Sequence, residues 1–197
     1  MTTQTSAGSK ALLRRDALAR RRSLDPQIRQ TFSVRLAAEG VRLAHDWRPR
    51  VVSAFHALSD EPDTLALLEA LARAGFATAL PVTVSRAMPL TFRLWRPGEP
   101  TIAGAMNIPE PSPLSPAVEP DLLFTPLAAF DRRGHRIGFG AGHYDRTLSH
   151  LRAKRPIRAV GVAYGACEVA AVPNEPHDEP LDFILTEHEL IDVRGIS

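Results

Sequence analysis

Apolar residues along this chain recur with two alternating periods. After Asp25 they fall at Ile28, Phe32, Leu36 and Leu43, the spacing of one helix face running toward Asp46. Asp25-Pro26 suits the start of that helix. The carboxylate caps it, and a proline loses no hydrogen bond at the first helical position. A weaker pattern predicts an earlier helix from a Ser9 cap to about Arg22, with Leu12, Leu13 and Leu18 as a partial apolar face. A third helix is expected over Thr64–Ala74, with Leu65, Leu68, Leu71 and Ala72 inward and Gly75 as its stop. A fourth is expected over His143–Ala153. Between them, Val51–Leu58, Phe76–Val84, Leu90–Trp95, Leu122–Thr125, Ile157–Tyr164 and Phe183–Thr186 read as strands. Pro97–Pro120 is rich in proline and glycine and reads as a long, mostly irregular loop. Residues 1–9 read as a disordered tail.

Strands alternating with helices predict an α/β protein. The expected architecture is a single three-layer α/β/α domain over residues 10–197, with a mainly parallel (mixed) Rossmann-like sheet. A chain of 197 residues fits one domain. Ligands of such sheets collect beyond the carboxyl ends of the strands. The acidic turn Ser59–Asp63 and the glycine-rich segment Asp131–Asp145 each follow a strand, so both are expected to face one cleft.

Composition narrows the setting. Cys167 stands alone and has no partner for an internal disulfide, which fits a reducing compartment and a small buried residue. Residues 1–9 lack the apolar core of a secretory signal, and no apolar run approaches a membrane span. A cytoplasmic protein is expected, with no membrane partner and with a monomer favoured. The net charge of +2 hides an uneven distribution. Arginines crowd the stretch from Lys10 to Arg50, and acids crowd Glu168 to Asp192. The basic end suits an anion or a solvated helix face. It lacks the interleaved aromatics that stack bases, so a nucleic-acid partner is not expected.

Residues 131–145 carry the strongest chemical signal, with glycines at 134, 138, 140 and 142. Glycine brings backbone close to a ligand, and a glycine turn that opens a helix aims free N–H groups and the positive dipole end at an anion. Arg136 adds a cation. Asp145, one helical turn in, is placed to share magnesium with a nucleotide. The segment lacks the Gly-Lys-Ser/Thr of the common phosphate loop and the third glycine of the dinucleotide fingerprint. Lys10 and Arg14 sit four residues apart on one helix face, suited to clamping a triphosphate. His177-Asp178 makes a poor catalytic dyad, since neighbours in extended backbone do not face each other. The histidines show no zinc spacing.

The whole string resembles the signature of the 5-formyltetrahydrofolate cyclo-ligase family. Phe130, Asp131, Gly134, Arg136, Gly138, Gly140, Gly142, Tyr144 and Asp145 match it. His143 departs from the family's first tyrosine. A histidine there can still stack on a ring or donate a hydrogen bond, and it adds a titratable proton. Lys10 and Arg14, Ser59–Thr64, Asn107–Pro111 and His177-Asp178 with Asp182 resemble further family landmarks in order.

The resemblance implies ATP-dependent closure of 5-formyltetrahydrofolate to 5,10-methenyltetrahydrofolate, with magnesium as cofactor and a phosphorylated formyl intermediate. It implies ATP binding by Lys10, Arg14, Arg136, Ile137, Gly138, Phe139, Gly140, Ala141, Gly142, His143 and Tyr144. Arg136 and Lys10 would act in catalysis. Folate would meet Glu61, Phe139, His143 and, at the strand end, His56. Magnesium would meet Asp145 and Asp182. Two alternatives stay open: a relative that kept the nucleotide loop but acts on another substrate or regulates, and a nucleic-acid module built on the basic helices.

Overall fold

The computed structural model describes residues 6–58 and 60–195. The chain runs α1 (Ser6–Arg22), α2 (Pro26–Trp47), β1 (Val51–Ser53), α3 (Leu65–Arg73), β2 (Ala77–Val82), β3 (Thr91–Leu94), β4 (Thr101–Ala103), β5 (Pro109–Pro111), β6 (Ala117–Val118), β7 (Leu122–Pro126), β8 (Ala129–Phe130), β9 (Arg136–Ile137), α4 (His143–Arg152), β10 (Arg158–Val162), β11 (Phe183–Leu185) and β12 (Leu190–Asp192).

Local chemistry explains where the helices begin and end. The Asp25 carboxylate accepts from the Gln27 N–H at 2.7 Å, and Pro26 opens α2 as expected. Phe32, Leu36 and Leu43 of that helix are buried, whereas Ile28 is exposed. Gly40 lets α2 and α3 meet closely, because a Cβ there would fall 2.2 Å from a methyl of Leu67. In α3 the buried leucines are 67, 68 and 71; Leu65 points outward, against expectation. Gly75 follows the helix at φ +88°, which suits glycine. The first helix starts at Ser6, so Ser9 lies inside it rather than capping it, and residues 6–9 are helical, not tail. Residues 1–5 of the expected tail lie outside the described residues.

Eight strands form one sheet in the order β12-β11-β10-β7-β1-β2-β3-β6. The five central strands, β11 to β2, pair in parallel; β12, β3 and β6 add antiparallel edges. The mainly parallel α/β sheet is therefore as expected. Buried strand residues such as Val52, Leu80, Leu122, Leu123, Phe124, Val160 and Ile184 join helix residues Leu36, Leu67 and Leu148 in one core. Each side chain of this kind contributes roughly 2 kcal/mol on burial.

The proline-rich stretch is not one irregular loop. It contains the hairpin β4–β5 and the edge strand β6. Pro109 and Pro111 are compatible with β5 because its sheet has only two strands and needs one ladder. The helical crossovers run outward in opposite directions, β1 through α3 to β2 and β7 through α4 to β10. Right-handed connections then put α3 and α4 on opposite faces. The order reverses between β7 and β1, and a crevice opens there at the carboxyl ends. No helix among the described residues is long and apolar enough to cross a membrane.

Candidate active site

Both chemically marked turns leave this switch point. Residues 54–63 follow β1. The segment after β7 first makes the short hairpin β8–β9, which places Arg136 and Ile137 at its end. Asp131 builds that hairpin's turn. Its buried carboxylate accepts from the N–H groups of Arg133 (2.9 Å), His135 (3.2 Å) and Val172 (2.9 Å). Burial pushes the Asp131 carboxyl up, and these N–H donors with the His135 ring outweigh it and hold it below the usual range. Ile137 is buried against Ala17, Ala129 and Val172, which anchors the start of the glycine loop.

The loop then runs free to α4. Gly140 takes φ +94° and Gly142 φ +64°, conformations that L side chains disfavour. No side chain caps α4, so its first N–H groups stay available to an anion. A cleft of about 380 Å³ lies over this loop, lined among others by Lys10, Arg14, Arg136, Gly138, Asp145 and Arg146. Four cations thus converge on one glycine loop. Sequence reading named three of them and missed Arg146, which donates to the carbonyls of Ala141 (2.7 Å) and Arg86 (2.6 Å). Its i,i+4 relation to Gly142 on a helix opening was the available signal.

Each cation already has a partner. Arg14 Nε donates to the Gly138 carbonyl at 2.7 Å. Lys10 Nζ lies 2.6 Å from Asp178 and 3.5 Å from Glu175. Burial pushes the Asp178 carboxyl up, but Lys10, the Glu175 N–H and His177 overcome this and hold it low. Arg136, almost fully buried, donates to Asp145 Oδ1 at 2.6 Å and to the Glu179 carbonyl. Burial pulls its pKa down, while Asp145 opposes that pull.

The acidic turn meets the loop across a residue that sequence reading did not select. Arg21 of α1 is buried, with Nη2 on Asp60 at 2.8 Å and Nη1 4.0 Å from Glu61 Oε1. The Phe139 ring lies over its guanidinium, 5.7 Å away. Glu61 is buried, and its Oε2 accepts the Leu58 N–H at 2.9 Å. Burial raises the Glu61 pKa; the Leu58 N–H and Arg21 offset part of it. Burial also raises the Tyr144 pKa, and the nearby Glu61 charge adds to this. Arg21 thus links the acidic turn to the glycine loop through Phe139, although the cleft over the loop is not itself lined by residues 54–63. Ser59 lies outside the described residues.

Four further residues that the sequence singles out sit as follows. Asp182 does not line the cleft. It precedes β11, where Arg152 (3.1 Å) and the Ala159 N–H (2.8 Å) both hold its Oδ2. His56 is exposed beyond β1 and makes no hydrogen bond among the described residues. His143 begins α4 with its Nδ1 3.2 Å from the Met88 carbonyl, which ties the loop to residues 86–88. His177 is exposed and 3.9 Å from Asp178, too far for a dyad. Among the described residues a larger hollow, about 520 Å³, lies between α4 and the β1–β3–β6 side. Its arginines already have partners, Arg155 with Glu119 of the same rim and Arg50 with Asp121 outside it, and it holds no glycine loop.

Fold and site define a class: an α/β protein that presents a cation-lined glycine loop at its topological switch point, suited to phosphate groups. Residues 6–187 match the 5-formyltetrahydrofolate cyclo-ligase family. The chain is 34% identical over 191 residues to a 5-formyltetrahydrofolate cyclo-ligase of Mycolicibacterium smegmatis, covering 92% of this chain and 95% of that protein. It is 33% identical over 172 residues to the protein of that name from Escherichia coli K12, covering 85% and 94%. The solved structure of Aquifex aeolicus 5,10-methenyltetrahydrofolate synthetase superposes with a TM-score of 0.79 at 26% identity, covering 94% of this chain and 93% of that one. The chain belongs to the 5-formyltetrahydrofolate cyclo-ligase family.

Proposed function

We propose that this chain catalyses the ATP-dependent cyclisation of 5-formyltetrahydrofolate to 5,10-methenyltetrahydrofolate, with release of ADP and phosphate. The observation that carries the reading is a cation-lined glycine loop beside a buried Glu61–Arg21 pair, with Phe139 of that loop lying over Arg21. One half suits a triphosphate and the other a polar heterocycle.

A formyl oxygen is a poor leaving group. Transfer of the γ-phosphoryl group to that oxygen forms a P–O bond, releases ADP and leaves an iminium phosphate. N10 then attacks the formyl carbon, the C–N bond of the new ring forms, and phosphate departs with the former formyl oxygen and the N10 proton. Such chemistry asks the protein for alignment and a positive field rather than a nucleophile. Lys10, Arg14 and Arg146 supply the field, with the N–H groups of Gly138–Gly142 and the α4 terminus receiving phosphate oxygens. Arg136 sits beneath them and positions Asp145 and Glu179. Phe139, His143 and Tyr144 form the border between the nucleotide and folate halves.

Magnesium, when bound, would supply charge neutralisation for the phosphates. Asp145 fits it. Its Oδ1 is held by Arg136 and the Glu179 N–H, while Oδ2 accepts no hydrogen bond among the described residues. Asp182 does not line the cleft over the glycine loop, whereas Asp145 does, and we assign the ion to Asp145. A cytoplasmic setting goes with ATP and a reduced folate as substrates.

The test mixes protein, 5-formyltetrahydrofolate, ATP and magnesium and follows methenyl product by absorbance. Product that requires both ATP and magnesium supports the proposal. No product from folded protein that binds ATP contradicts it and favours a relative acting on another substrate.

A further inference from the structure

Arg21 is an arginine in the wrong place for a solvated helix face. Its side chain is 3% exposed, yet only Nη2 has a partner, Asp60. Among the described residues Nε and Nη1 are buried and make no hydrogen bond, and Glu61 Oε1, 4.0 Å away, is equally buried and unpartnered. A buried ion pair is stable when its geometry is close and its remaining donors are satisfied. Here the partners stand too far apart for a hydrogen bond, and two donors and one acceptor are left over. Leaving such groups unmade costs more than an ordinary contact returns, so a gap of this kind points to an occupant.

The surroundings fix the two groups rather than letting them collapse together. Asp60 holds one Arg21 nitrogen, and the Leu58 N–H holds Glu61 Oε2. Arg29 donates to the Arg21 carbonyl at 2.5 Å and to the Asp60 carbonyl at 2.9 Å, tying α1, α2 and the acidic turn into one unit. The cover is Phe139, 45% exposed, between Gly138 and Gly140. This exposed ring, on the glycine loop, stands between the pair and solvent.

We infer that Arg21 is a specificity-determining residue for the folate substrate, donating to the 4-oxo group of its pterin ring while Glu61 accepts from the adjacent ring N–H. This rests on the cyclo-ligase reading and extends it. A rigid donor beside a rigid acceptor complements an amide-like edge, C=O next to N–H. It opposes a 2,4-diamino ring, whose 4-amino group would aim its own hydrogens at the guanidinium. Discrimination of this type is strong because the wrong ligand leaves buried donors unpaired.

The experiment measures binding of two folate analogues that differ only at ring position 4, oxo or amino, to wild type, Arg21→Met and Arg21→Lys. It also measures the KM for ATP in each. The expected wild-type result is preference for the oxo ring by about 10- to 100-fold. In Arg21→Met that preference collapses toward unity while the KM for ATP stays within about twofold. Arg21→Lys keeps the charge against Asp60 and loses the fork, so it decides the matter if the Met variant does not fold; its preference falls too. A folded variant of either kind that keeps the wild-type preference overturns the inference, and so does a rise in the KM for ATP equal to the loss of folate affinity, which marks a merely structural role. Wild type that binds neither ring contradicts the cyclo-ligase reading, and this inference with it.

Discussion

Arg14 and Gly138 lie 124 residues apart in the chain, yet the Arg14 Nε–H donates to the Gly138 carbonyl at 2.7 Å. The bond fastens the first helix to the start of the glycine loop. It also leaves the rest of the guanidinium near Gly140, where a Cβ would sit 3.8 Å from Nη2. Arg14→Ala removes both the tether and a phosphate donor. The KM for ATP should rise about 10- to 100-fold, as for loss of a charged hydrogen bond. Steady-state kinetics check this, and an unchanged KM for ATP would remove Arg14 from the phosphate site.

Asp131 shapes the loop from behind. Asp131→Ala orphans three N–H groups and should destabilise the protein by roughly 3 kcal/mol. The sign with pH follows from its lowered pKa. Such a carboxylate contributes stability that is present above the unfolded value, near 4, and is lost as pH falls through the lower folded value. Thermal melts from pH 6 to pH 3 should therefore fall more steeply for wild type than for Asp131→Asn.

Glu61 behaves oppositely. Its folded pKa is raised, so its charged form costs stability as pH climbs from the unfolded value through the folded one. Glu61→Gln should melt higher than wild type at pH 7, with the difference shrinking toward pH 4.5, and should bind the folate substrate more weakly. Equal melting of the two proteins at pH 7 would contradict this.

Burial pushes the Cys167 thiol up to about 11, against a weaker pull from Arg21 and Arg20. The thiolate is the reactive form. A disulfide-exchange reagent at pH 8 should label native protein far more slowly than denatured protein. Rapid labelling of the native state would show that residues 165–167 open.

Much of this was legible in the sequence, and the failures have physical causes. Asp25-Pro26 and the leucine period marked α2 because capping and periodicity are local. The inner face of α1 follows the sequence pattern only in part, since Leu13 packs against the Ala17 cluster. Leu12 is exposed, whereas Lys10, Arg14, Ala17 and Arg21 turn inward. Charges point inward only when partners await them, and Asp60 and Asp178 lie about 40 and 170 residues onward in the chain. The hairpin β8–β9 has two residues per strand, too few for any pattern. Asp182 resembled a metal ligand, but it lies outside the lining of the glycine-loop cleft, a placement that spacing cannot reveal.

The central claim is that phosphate leaves with the formyl oxygen of the folate after ATP has activated it. Turnover of substrate labelled with 18O in the formyl group tests this most directly, by mass analysis of the released phosphate. One labelled oxygen in phosphate for each methenyl product is the predicted result. Product formation with unlabelled phosphate, the isotope passing to water, would contradict the proposed chemistry.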